Sequence, residues 1–472
     1  MSDEEFASPK SEPPKKSGFA GRFRNPDETE VRRHAAKTPF LWVYLIVLGI
    51  ATFQIYADPL GFDGLTERYS QQLVNLTLTG PLYPSAGQNE VSVVLIEDAT
   101  LDYLDLIWPW PYGEHARALD AILAYEPRAV AVDILFADAR DDPSLEQLLF
   151  VIERYARFGV PFYLVGSSRI SPPVREELLN SSALVIDGQI NLPEGVARQY
   201  PESVSCLYSD GENCPSLALR IYEDLYEEDV PRSSDGETAL ELVWGVDTHP
   251  INRKIVREES VQCPAEAGIL TRVYRALVDV DQLRSPCPHT ARIPAEALLV
   301  GTPDDDIQMA IKDRVVFYGA RLEGSDDVAF TPANGLLAAV FVHAMALDNV
   351  ISFEGRPKRN TITLSGVTLG NDTIKVIVAA FILLVATSLH MEHLRKDAAT
   401  PGDQDLSARR RFTWYGILLA MTLGAGLGLY FIFGLSISNW IELVFITGLL
   451  FELLISSFLG RLWGRLRYAA GL

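Results

Sequence analysis

Three carboxylates, Glu97, Asp98 and Asp133, stand at the ends of apolar runs that read as parallel strands. Ligands of open α/β sheets bind beyond the carboxyl ends of the strands, so acids there could hold a cation or exchange a proton. Their plainer role is to cap the loops and helices that follow, as Asp commonly does. Trp108-Pro109-Trp110-Pro111 is a stiff extended segment whose two indoles project in similar directions. Those rings could wall a ligand pocket or lid the sheet as core. His343, with Asp326 and Asp327 as the nearby acids, is a weak metal candidate; a satisfied core histidine is the simpler reading. His390-x-x-His393 has helical spacing without carboxylate or cysteine support. The chain contains no GxSxG, P-loop or GxGxxG, so no catalytic residue is assigned and no cofactor is expected.

The cysteines carry a different chemistry. Cys206, Cys214, Cys263 and Cys287 make an even set confined to one region, which suggests two disulfides in an oxidising compartment. Of the three possible pairings, Cys206 with Cys214 and Cys263 with Cys287 costs least in loop closure.

These groups are distributed between water and membrane. The 472-residue chain has a formal charge of -21 and yet a mean hydropathy of +0.10, so apolar segments must be concentrated somewhere. Residues 57–373 hold 49 Asp and Glu against 24 Lys and Arg, whereas the flanks are slightly basic. So acidic a region repels phosphate, which makes nucleic acid a poor partner. Four stretches are apolar enough to span a bilayer: 40–56, 374–389, 414–435 and 440–459. Lys375 lies at the mouth of the second, placed to snorkel outward; Glu442 lies near the outer boundary of the fourth, within reach of water. Lys and Arg cluster in the tail 1–39, the loop 390–413 and the tail 460–472, and none falls in the turn 436–439. The positive-inside rule therefore places both termini and that loop in the cytoplasm, and residues 57–373 outside. Gly424-x-x-x-Gly428 would give the third span a smooth face for helix contact, with routine packing as its ordinary use. Glu452, in the interior of the fourth, is costly there and calls for a partner.

Residues 1–37 are rich in Pro, Ser, Lys and Glu without apolar periodicity and read as a disordered tail. In the external region, Val91–Ile96, Ala129–Leu135, Pro161–Val165 and Arg314–Gly319 read as buried strands, alternating with helices over His115–Ala124, Ser144–Phe158 and Leu336–Ile351. That alternation predicts an α/β domain with a mostly parallel, doubly wound-like sheet. The stretch from about Arg169 to Asp306 reads as an irregular insertion.

The external region resembles the CHASE2 extracellular sensor domains of bacteria. The likeness rests on Val91-Ser92-Val93-Val94-Leu95-Ile96 with Glu97-Asp98, on Trp108-Pro109-Trp110-Pro111 with His115, and on Asp133-Ile134-Leu135-Phe136. A second block comprises Gly319-Ala320, Asp326-Asp327, Thr331-Pro332 and His343-Ala344. The family's layout is also similar: one span, the sensor domain, three spans, then a cytoplasmic output. The chain departs from the pattern at Glu97, Tyr112 and Ala339, where relatives usually place Asp, Arg and Gly, and 13 residues follow Leu459 where relatives continue into a kinase or cyclase.

The resemblance implies a sensing or regulatory subunit in the bacterial inner membrane, acting on a protein partner in trans or on a second copy, in answer to a small-molecule or protein signal. A membrane-anchored scaffold or assembly factor is the alternative from another class.

Overall fold

Val91–Glu97 (β1) is buried at its first six positions, the pattern of a strand covered on both faces. Ala129–Asp133 (β2), Phe162–Gly166 (β3) and Leu184–Asp187 (β4) follow, each after a helical crossover or a short loop. With Ala291–Pro294 (β9) and Val315–Arg321 (β10) they form one six-stranded sheet in the order β4-β3-β2-β10-β1-β9, and every pairing is parallel. The computed structural model describes residues 40–455, apart from 60–71, 139, 191, 193–195, 208–211, 233–238, 256–262, 264–267, 280–282, 301–303, 325–326, 365–366, 400–403 and 437–439.

Two of these strands lie inside the stretch read as insertion. β4 has only four residues, and β9 ends in Pro294, which an edge strand tolerates because it needs no ladder donor there. Neither is long enough to announce itself by periodicity. The rest of that stretch is less irregular than expected: it holds the ten-residue helices Leu217–Tyr226 and Ile269–Val278 and two small antiparallel pairs, Gln199–Pro201 (β5) with Ala239–Glu241 (β8) and Ser203–Ser205 (β6) with Asn213–Pro215 (β7). Disulfides join Cys206 to Cys214 across the second pair and Cys263 to Cys287.

Alternate residues of the sheet feed two layers. Val94, Ile96, Val130, Val132, Val316 and Tyr318 join a core closed by the helices Tyr112–Ala124 (α2) and Leu145–Phe158 (α3). Asp98–Leu104 (α1) precedes them at the end of β1. The other face carries Val93, Leu95, Ala131 and Phe317 and is covered by Val340–Ser352 (α5), which packs on β1, β10 and the helix Leu217–Tyr226 (α4). α5 is buried on all sides from Val340 to Val350, so it is a central helix of the fold. Its start is a hairpin, Val328–Thr331 (β11) with Gly335–Ala338 (β12), where the sequence pattern suggested helix from Leu336. α5 can approach β10 because Gly319 has no side chain; a Cβ there would lie 2.8 Å from that of Val340.

Buried polar groups bind the insertion to this frame. Val243 and Trp244 run between two asparagines, and each uses one amide as if it were a neighbouring strand. Val243 N donates to Asn349 Oδ1 (2.9 Å) and its carbonyl accepts from Asn349 Nδ2 (3.0 Å). Trp244 does the same with Asn75, at 2.9 Å in both directions. Beside them Asp348 accepts from Tyr83 (2.7 Å) and Ser352 (2.9 Å), and lies 3.6 Å from His289 Nε2. Burial pushes the Asp348 carboxyl up, and the neighbouring imidazole opposes that shift.

The chain divides into two compact units, one of Thr52–Ala379 with Leu419–Ile446, the other of Met1–Ala51, Ala380–Leu418 and Thr447–Leu472. In the second unit Tyr44 donates to the carbonyl of Ala380 at 3.2 Å. After α5, the hairpin Thr361–Leu364 (β13) with Val367–Gly370 (β14) leads into the long helices Asn371–Ala399 (α6), Gln404–Phe433 (α7) and Trp440–Ile455 (α8). Among the described residues two segments, Asn371–Leu389 and Thr413–Phe433, are long and apolar enough to cross a membrane, where the sequence pattern suggested four. The apolar segment Leu41–Ala57 falls short of that length, spanning about 26 Å at 1.5 Å per residue against a hydrocarbon core of about 30 Å. α8 is described over 16 residues, and its expected continuation to residue 459 lies outside the described residues.

Asn349→Ala strips partners from two buried backbone groups, each costing about 1–3 kcal/mol when left unsatisfied. The full chain in detergent should unfold at a clearly lower denaturant concentration than wild type. An unchanged midpoint would mean that water replaces the amide.

Candidate functional site

The carboxyl edge of the sheet is where the chain's acids were expected to act, and each now has a place. Glu97 is the N-cap of α1 and forms a capping box with Thr100, whose hydroxyl also donates to Glu296 at 2.5 Å. Its carboxylate pairs with Arg292 of β9, 2.6 Å from Oε1. Asp98 accepts from the backbone N–H of Glu323 at 2.9 Å. Both acids are therefore engaged in closing the strand ends. Trp110 is wholly buried in the core, while Trp108 keeps 37% of its surface. Between them lies His115, its ring 6.0 Å from Trp108 and 5.6 Å from Trp110, with Nδ1 3.0 Å from the Tyr318 hydroxyl. Desolvation, and then Arg140, push this imidazole down to about 3, so it is neutral at any ordinary pH.

Asp133 is different. It ends β2 opposite Gly319, and the gap that Gly319 leaves lets the first turn of α5 bring His343 over it. His343 Nε2 lies 3.8 Å from Asp133 Oδ1, too far for a hydrogen bond, and neither this nitrogen nor Asp133 Oδ2 has a hydrogen-bond partner among the described residues. The other ring nitrogen is 2.8 Å from the Tyr200 hydroxyl, which also accepts from Ala218 N at 3.2 Å.

Desolvation pushes the Asp133 carboxyl up to about 7. Asp327 is exposed as a residue, yet its carboxyl rises to about 6, through desolvation first and the Asp133 charge second. His343 falls to about 4, because its desolvation outweighs the support of Asp327 and of the Gly188 backbone. Two acids and an imidazole thus share a site whose charge changes near neutrality. Asp326 lies outside the described residues, and among those described no three His, Cys, Asp or Glu converge as metal ligands.

A second constellation joins the domain to the long helices. Lys358 Nζ donates to the carbonyl of Tyr430 in α7 at 2.8 Å and stands 4.2 Å above that ring and 4.6 Å from the Phe353 ring. Its own carbonyl accepts from Glu241 N of the insertion at 2.8 Å. Arg359 donates through its side chain to Glu202 at 2.5 Å and to the Pro231 carbonyl, and through its backbone to Gly434 at 3.0 Å; its carbonyl accepts from Ser436 N at 2.6 Å. Two adjacent residues therefore fasten insertion, α5 exit and α7 together. The sequence held a signal for them, since adjacent bases stand out in so acidic a region.

Lys375 and Glu442 overturn their sequence readings. Both are buried, at 2% and 1% side-chain exposure, and Lys375 donates to Glu442 at 2.9 Å and to Asp372 at 3.2 Å. Lys375 is one turn into α6 and Glu442 in the first turn of α8, so the pair joins those two helix ends. For the glycine motif, a Cβ at Gly424 or Gly428 would meet nothing within 4 Å, whereas one at Gly426 would lie 3.0 Å from the Trp440 ring. The side chains of Glu452, His390 and His393 lie outside the described residues.

A family model described as CHASE2 domain matches residues 42–386. No curated protein and no solved structure matches the chain.

The raised carboxyls predict a pH dependence of stability. An acid with a raised folded pKa contributes stability that is present below its ordinary value of 3.8 and is lost as pH rises through the folded value, about 7 for Asp133 and about 6 for Asp327. His343, lowered from 6.5 to about 4, acts in the opposite sense, its contribution growing as pH rises between those two values. Asp133→Asn removes the largest loss. The variant's unfolding temperature relative to wild type should climb from about pH 4 to about pH 7 and then level off. Parallel profiles would exclude Asp133 as the proton-binding group.

Proposed function

Because the chain belongs to the CHASE2 domain family, we propose that it is a membrane-embedded sensing or regulatory subunit that reads a condition outside the cytoplasm and passes it to a separate cytoplasmic or membrane protein. CHASE2 is a sensor-type extracellular domain, which supports the input half of this reading. The output half rests on the strap at Lys358 and Arg359, which holds insertion and α7 in one network of hydrogen bonds. A change of packing at α5, where His343 meets Asp133, has a short covalent path to that strap: α5 ends at Ser352 and Lys358 follows within two turns' length of chain.

In this reading four helices cross the bacterial inner membrane, the short first one by local thinning of the bilayer. The basic segments 1–39, 390–413 and 460–472 face the cytoplasm, and 57–373 faces outward. The Lys375–Glu442 pair supports it as well. Removing one partner of a buried pair costs about 3–5 kcal/mol, so α6 and α8 are held in register near their domain-side ends. The carboxyl-edge site at Asp133, Asp327 and His343 receives the signal, and the role assigns the chain no catalytic step of its own. The partner is a protein in trans or a second copy.

Reporter fusions within 390–413 and at Leu472 should behave as cytoplasmic; a signal from the outer side at either reverses the topology. Coupling is tested by hydrogen exchange of 390–413 in reconstituted vesicles. Asp133→Asn should change exchange there relative to wild type, and combining it with Arg359→Ala should abolish the difference. If Asp133→Asn leaves 390–413 unaffected while one large complex co-purifies unchanged, the chain is a scaffold.

A further inference from the structure

The helix Ile269–Val278 is turned inside out: it buries Arg272 to 7% exposure and presents Leu270, Val273, Tyr274 and Val278 to the outside, at 86, 41, 69 and 68%. Those four positions share one face of a helix. An apolar face on the outside and a guanidinium within is the reverse of what water selects, so something other than water covers that face.

Its position identifies the cover. The helix packs on Asn75–Thr79, and Asn75 holds both backbone groups of Trp244 at 2.9 Å. Three residues back along the chain, at most about 11 Å, Glu241 N donates to the carbonyl of Lys358 at 2.8 Å. Lys358 in turn reaches the Tyr430 carbonyl in the last turns of the apolar segment Thr413–Phe433. A short run of bonded contacts therefore leads from the helix to the end of a span. The helix contains no acid, although residues 57–373 carry 49, and exposed Arg275 flanks its apolar face. Tyr274, with an apolar body and a polar tip, suits the headgroup level.

A second copy fits poorly. Ten residues make a helix about 15 Å long whose face covers roughly 150 Å², against about 800 Å² per partner in a stable interface. The strong negative charge of the domain opposes self-association besides.

We propose that the helix Ile269–Val278 rests its apolar face on the outer leaflet of the bilayer, as a peripheral lipid contact that fixes the tilt of the external domain. This rests on the membrane reading of the preceding section. The spans supply the anchoring, so the helix needs only the modest affinity of an amphipathic surface segment.

The test uses the full chain in native membranes with p-benzoylphenylalanine placed singly at 270, 272, 274 and, as a reference, at 423. Leu423 is 49% exposed on α7, and the other exposed sites tolerate substitution. After irradiation, lipid adducts are expected at 270, 274 and 423 and none at 272. Lipid adducts at 423 without any at 270 and 274, or adducts there to a second copy or another protein, overturn the proposal and leave the membrane reading intact. No lipid adduct at any position, 423 included, overturns the membrane reading itself and the proposal with it.

Discussion

Strand β10 occupies the slot between β1 and β2, and most of the architecture follows from that placement. β1 enters the sheet soon after the first apolar helix, while β10 arrives more than two hundred residues later and is followed directly by the hairpin and helix that lead to the next one. A parallel sheet has no stable half with its central strand missing, since β1 and β2 would each face an unpaired ladder. The domain therefore cannot close until both ends of its chain have met. Everything between β2 and β10, including β4 and β9 at the two edges, is wound around that closure.

The same closure concentrates polar groups in places that water cannot reach. α5 is buried over its length, yet it carries His343, Asp348 and Asn349. Asn349 is satisfied by Val243, whereas Asp348 accepts from Tyr83 and Ser352 on Oδ1 and leaves Oδ2 without a hydrogen bond among the described residues. Among the described residues His343 has a hydrogen-bond partner on one nitrogen only. An incompletely paired polar group in a core is costly, and such groups collect where an environment is built to change protonation or hold a ligand. Asn349 thus holds the fold, while Asp348 and His343 each keep one unbonded polar atom among the described residues, and His343 is the one that confronts Asp133.

Among the charged contacts, surroundings decide the worth. Surface pairs such as Arg117 with Glu114 are screened and contribute little. Lys375 with Glu442 lies out of water, where neither charge is tolerable alone, so its value is in fixing which helix ends meet. Lys358 works similarly at the domain boundary, where burial lowers its ammonium to about 8 while a carbonyl and two aromatic faces receive it.

Much of this was readable without coordinates. Continuous apolar runs at Val91–Ile96 and Ala129–Val132 specify strands covered on both faces, because no other element buries consecutive positions over so short a length. Confinement of the cysteines to the acidic region pointed to disulfides, and the local pairing follows from loop entropy. What sequence could not supply was the partner of each polar residue. Glu97 and Asp133 look alike at strand ends, but one meets Arg292 from an edge strand too short to recognise, and the other meets His343 from a helix two hundred residues away. Lys375 and Glu442 read separately as groups reaching for water, and the helix Ile269–Val278 read as part of an irregular stretch. Local pattern determines which residues are apolar together, since that depends on period alone. Whether a charge is paired, capped or orphaned depends on which distant segment the closing sheet brings against it, and only the tertiary structure decides that.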